Sequence, residues 1–190
     1  MNNAVFGPLA RYSILTFLVA TGVLTLLFAN AAFFSGSGLT GYAPALGAIA
    51  AAGLLAGRNG IARLLDPLRR WNQRPLWYLA AILGTLIVYA VSVALTRVTD
   101  SNPLTPAYMA PLAILTTFFW PVLQGGIGEE IGWRGFMLPL LQLRWGPIRA
   151  SIAVGICWGI WHVPARFVPS TGQHLVFVTL LCIALSCIFT

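Results

Sequence analysis

The chain contains no lysine and only four acidic residues, Asp66, Asp100, Glu129 and Glu130, against eleven arginines. Charged residues make up 8% of its 190 positions, where a soluble domain carries about 25%. Such a shortage excludes an ordinary water-facing surface. With 58% hydrophobic residues and a mean hydropathy of +0.85, the composition is that of an integral membrane protein. In a soluble protein a net charge of +7 would suggest nucleic acid. Here the arginines mark topology and lipid headgroup contact, and no nucleic-acid partner is expected. Cysteine is scarce too: Cys157, Cys182 and Cys187 all lie in apolar runs, without CxxC or Cys/His ligand spacing. They read as small buried hydrophobes. There is no internal repeat or low-complexity segment, and the length fits a single membrane-embedded domain over residues 1–190.

What is present is a series of long apolar runs. Residues 12–57 contain no charge, and the break at Ser35-Gly-Ser-Gly38 predicts one helix over 12–34 and a second over 40–57. Further helices are predicted over 75–96, from near Tyr108 to the glutamates, over 149–165, and from Gly172 onward. The fold class is therefore all-α, a polytopic transmembrane helix bundle of about six helices. Phe28-Ala-Asn-Ala31 faintly resembles a signal cleavage site. The long run before it favours an uncleaved first membrane helix.

Arg58, Arg63, Arg69, Arg70 and Arg74 cluster in one loop opposed only by Asp66. The positive-inside rule makes that loop cytoplasmic, together with the N-terminus bearing Arg11, in a bacterial-type plasma membrane. Ile61, Leu64, Leu65, Leu68 and Trp71 recur there at helical spacing, the pattern of a helix lying in the interface against lipid. Asp66-Pro67 is expected to break it or to start a second short helix.

Glu129 and Glu130 end an apolar run that holds no other charge after Asp100. An ionisable side chain at the membrane centre costs about 2.5–3.5 kcal/mol on insertion scales, so two together need compensation or a purpose. Glu130 and Arg134 stand at i and i+4, the favourable order for an ion pair. Glu129 has Trp133 at that position, which leaves it without a local counter-charge and suited to taking and returning protons. The competing reading is a structural ion pair at a helix end.

His162, in Trp158-Gly-Ile-Trp-His162-Val-Pro164, is the only imidazole or charged side chain between Arg149 and Arg166. A lone histidine on an apolar helix is usually a core residue, but position changes the odds. Arg144-Trp-Gly-Pro-Ile-Arg149 reads as a turn, with Gly146 at equal sequence distance from Glu130 and His162. If both arms are helical, each residue lies about 24 Å from the turn at 1.5 Å per residue. A carboxylate and an imidazole would then share one depth, able to polarise water directly or through a metal. Trp158 would wall the same face. Gly125, Gly126, Gly128, Gly132 and Gly135 line the approach, either for close access of an extended substrate or for helix packing.

Glu129-Glu130-Ile-Gly-Trp-Arg134 resembles the EExxxR motif of the CPBP family of intramembrane proteases, which includes the CAAX prenyl proteases and Abi-type bacteriocin-immunity proteins. Trp158-Gly-Ile-Trp-His162 is similar to its second motif, an aromatic residue followed by a histidine. The resemblance implies hydrolysis of a peptide or protein substrate at the membrane. It makes Glu129 the activating base, Glu130 its companion, Arg134 a positioning partner and His162 an essential second group. The family is labelled metalloprotease, yet a metal-free glutamate mechanism is also proposed for it. Zinc is the cofactor in question, with Glu129 and His162 the candidate ligands, although the spacing of HExxH is absent. The family's third motif, a histidine four residues before Asn or Asp, is not found: His174 is followed at that distance by Val178. The last run is still apolar at Thr190, so a chain lacking its final helices is expected. The rival expectations are an inactive immunity or interaction protein on this fold, and a proton- or cation-coupled transporter.

Overall fold

One residue in four along the first helix turns inward, and most of those that do are small or hydroxylated. In the computed structural model, which describes residues 10–35, 39–70, 72–99, 122–166 and 172–188, helix α1 spans Ala10–Ser35. It buries Ser13, Phe17, Thr21, Thr25 and Ala29, while Leu15, Val19, Val23, Leu26 and Leu27 are at least half exposed. A soluble helix has the opposite pattern. Hydroxyls inside and large aliphatics outside suit a helix whose solvent is lipid. A buried hydroxyl needs a partner, and Thr25 Oγ1 donates to the Thr21 carbonyl at 2.7 Å.

A short 3-10 turn, Leu39–Tyr42, leads into α2 (Ala43–Leu65), whose buried Ala43, Ala45, Ala48, Ala51 and Ala52 allow close packing. Gly57, at φ 58° and ψ −152°, breaks this helix in a region open mainly to glycine. The chain then doubles back, so that Gly60 lies against Ala52 and Ala56, and Ile61 against Gly53. The basic stretch expected to lie in the interface is thereby corrected in part. Ile61 and Leu64 pack on the protein core, because the reversal at Gly57 gives them a protein partner, whereas Leu68 remains 45% exposed. Trp71 lies outside the described residues.

The chain divides into two compact units, residues 66–120 and the remainder. The smaller contains the 3-10 turn Asp66–Arg69, the short helix anticipated at Asp66-Pro67, where Arg70 pairs with Asp66 at 2.5 Å. It also contains α3 (Pro75–Thr99), which starts on a proline, the residue pre-set for a first helical turn. The start of the helix expected near Tyr108 lies outside the described residues.

In the larger unit two π-helical stretches, Val122–Glu129 and Ile131–Met137, flank Glu130. Gly128 and Gly132 let this segment run against the second helix. A Cβ on Gly128 would stand 2.2 Å from the Gly41 carbonyl oxygen, and one on Gly132 would stand 2.6 Å from Pro44. Of the glycines read from sequence, these two serve helix packing. Helix α4 (Leu138–Arg166) is interrupted at Gly146, whose φ of 73° makes the turn expected there, and α5 (Gly172–Ile188) packs along α4.

The core is aromatic. Phe17 meets Trp133 edge-on, with ring centroids 5.3 Å apart, and Phe136 at 5.5 Å, while Trp133 meets Trp161 at 6.1 Å. Cys182 is buried and Cys157 partly so, as expected, but Cys187 is exposed near the end of α5. All described secondary structure is helical. By length and composition Tyr12–Asn30 and Thr40–Arg69 each suffice to cross a membrane, the second being interrupted at Gly57. The all-α membrane bundle read from sequence is the fold observed.

Candidate active site

The π winding delivers two acids and a base to one region. Glu129 closes the first π stretch, Glu130 joins it to the second, and Arg134 follows. Arg134 Nη1 donates to Glu130 Oε1, which makes the ion pair expected at i and i+4. The arginine side chain is only 12% exposed and the glutamate 41%, so the guanidinium is the more desolvated member and depends on the pair. Its Cζ also stands 4.7 Å over the ring of Trp158, a cation–π contact.

Trp158 is the hub of the site. Its indole Nε1 donates to Glu129 Oε2 at 2.5 Å, joining residues 29 apart in sequence. Its carbonyl oxygen accepts from His162 Nδ1 at 2.9 Å, one helical turn on. A carbonyl can only accept, so Nδ1 carries the hydrogen, and in the neutral ring the lone pair lies on Nε2. On the other side Trp161 meets His162 edge-on at 5.1 Å and donates through Nε1 to Thr25 Oγ1 at 2.7 Å. The imidazole is therefore held between two indoles, one reaching the glutamates and the other reaching α1.

The positions singled out from sequence thus fall into one connected set. Glu130 and Arg134 form the pair, and Trp158 connects Arg134, Glu129 and His162. Two points are sharpened. Trp158 was expected only as an apolar wall, but it is a hydrogen-bond donor. Glu129 engages the indole of a distant helix. Trp161 and Thr25 were not anticipated; the signal available was a second indole N–H beside the histidine, which a buried position obliges to find an acceptor.

Among the described residues no three His, Cys, Asp or Glu side chains are grouped to hold a metal ion. A catalytic zinc site has about three protein ligands, and Glu129 with His162 would supply two. The described residues alone do not fit that requirement.

Residues 110–190 match the family model described as Rce1-like, type II CAAX prenyl endopeptidase. The CAAX prenyl protease 2 of Methanococcus maripaludis is 45% identical over 66 residues, which are 33% of this chain and 24% of that protein. The chain thus spans about a quarter of the length of the curated relative that it matches. No solved structure matches it. The segment that carries both motifs is therefore similar to the CAAX prenyl endopeptidases, and the resemblance to the wider family of intramembrane proteases is borne out.

Proposed function

We propose that the protein is an intramembrane endopeptidase in which Glu129 and His162 activate the attacking water. The observation that carries this reading is the bond from Trp158 to Glu129, because the same residue also orients His162. Glu129 takes one proton from water. His162 Nε2 accepts a hydrogen bond from the other O–H and aims the oxygen at the scissile carbonyl. The oxygen adds to the carbonyl carbon, the tetrahedral intermediate collapses, and the C–N bond breaks. Glu129 returns its proton to the leaving nitrogen, which leaves a carboxylic acid, still carrying the water's second hydrogen, and an amine. The hydrogen lost from the water is thus the one gained by the amine.

Glu130 and Arg134 position rather than react. Glu130 holds Arg134, Arg134 lies over Trp158, and Trp158 holds Glu129 by Oε2. The other carboxylate oxygen, Oε1, lies beside Gly125, where an added Cβ would stand 3.8 Å from it. This sequence of steps runs on side chains.

The test is Glu129→Gln in the full-length protein, assayed in vesicles on a prenylated CAAX peptide and on an unprenylated membrane-anchored peptide. Membrane insertion and thermal stability are measured alongside. Loss of cleavage with normal insertion is the expected result. Cleavage by the variant at the wild-type rate would remove Glu129 from the reaction and sink the proposal, and no cleavage by the wild-type protein itself would favour an inactive interaction protein on this fold. A change confined to proton or cation flux would favour a transporter.

A further inference from the structure

An open groove of about 360 Å³ lies beside the Gly146 turn, lined by Trp145, Arg149, Ile152, Ala153 and Ile156. Its volume falls within the roughly 300–1,000 Å³ of ligand clefts. The groove is polar at one end only. Trp145 stands at the turn and Arg149 in the first helical turn beyond it, where the backbone dipole also favours an anion. Ile152, Ala153 and Ile156 continue down the same helix face, and both isoleucines are exposed.

Chemistry and length together select one occupant. Arg149, at the mouth, makes no ion pair among the described residues, so it offers a cation to an anionic group there. A tryptophan at such a position suits the headgroup boundary of a bilayer. From Arg149 to Ile156 the floor runs about 10 Å at 1.5 Å per residue. One leaflet of a roughly 30 Å hydrocarbon core is about 15 Å deep. The slot therefore starts at headgroup depth and ends within one leaflet. A peptide would leave backbone groups unsatisfied along this apolar floor. An acyl chain has none.

We infer that this groove binds one anionic phospholipid, its phosphate on Arg149 beside Trp145 and one acyl chain along Ile152, Ala153 and Ile156. The slot is separate from the Glu129–Trp158–His162 set and does not depend on the proteolytic reading.

The full chain is reconstituted in mixed phosphatidylcholine–phosphatidylglycerol vesicles, with bromine on the acyl chains of one lipid or the other. Trp145 emission is taken as the difference between wild type and Trp145→Phe. Brominated phosphatidylglycerol is expected to quench Trp145 about five times as effectively as brominated phosphatidylcholine. That ratio corresponds to the ~1 kcal/mol of one arginine against an anionic surface. Arg149→Gln, an exposed position, should bring the ratio to about one, and Ala153→Phe, which fills the floor, should weaken quenching by both lipids. Equal quenching by the two lipids in the wild type would overturn the inference. So would quenching by neither, which would mean that protein, from this chain or a second copy, covers the face. Loss of the preference on adding inorganic phosphate would reduce the slot to an anion site and overturn it equally.

Discussion

The π-helical segment has two sides that obey different rules. On one, Ile131, Trp133, Phe136 and Met137 are buried against Phe17 and Trp161, and shape alone decides the fit. On the other, Glu129, Glu130 and Arg134 are joined to Trp158 by hydrogen bonds and charge. The first side is a packed core and should fail through stability. The second is a chain of positioned polar groups and should fail through rate while the fold persists.

The largest expected effect tests the second side. Glu129→Gln keeps the shape of the side chain and removes the proposed base, so kcat should fall by about 10²–10⁴-fold, the range for a positioned general base, with little change in thermal midpoint. A parallel collapse of stability would erase the distinction between the two sides. Next, Trp133→Ala empties the centre of the first side. Thermal or denaturant unfolding in detergent should show a loss of about 3 kcal/mol, the lower end for a buried tryptophan because lipid replaces water in the unfolded reference.

A paired substitution sharpens the comparison further. Trp158→Phe keeps an aromatic ring in a smaller side chain and deletes the N–H that holds Glu129. A hydrogen bond to a charged group is worth about 1.5–3 kcal/mol, so kcat should drop roughly ten- to hundred-fold, with KM nearly unchanged. Trp161→Phe deletes the corresponding N–H on the structural side, where the acceptor is Thr25. There the expected effect is the smallest, about 1 kcal/mol of stability, with cleavage kinetics close to wild type. If the two indoles exchange these phenotypes, the assignment of Trp158 to the site is wrong.

The lines along which sequence and structure agree are those set by local periodicity. Uncharged runs gave the helices, Gly146 gave a turn between two arms, and the i, i+4 spacing gave the Glu130–Arg134 pair. What escaped reading depended on contacts between distant segments. Ile61 and Leu64 have the pattern of an interfacial helix, and only the reversal at Gly57 turns them to the core. Trp158 looked apolar because its indole N–H has no acceptor nearby in sequence. Nor does local pattern distinguish Gly128 and Gly132, pressed against Gly41 and Pro44, from Gly125 beside a carboxylate oxygen.

The turn at Gly146 has a consequence for how such a site can vary. With φ at 73° and ψ at 175°, one residue reverses the chain, and no slack separates the two arms. Registration of Trp158 with Glu129 is thus fixed by counting residues rather than by loop flexibility. Inserting a single residue in the second arm, between the turn and Trp158, rotates everything beyond it by about 100° around the helix. The indole would then swing away from the carboxylate and towards lipid. A point substitution on this arm alters one contact, whereas a change in its length shifts every contact beyond it.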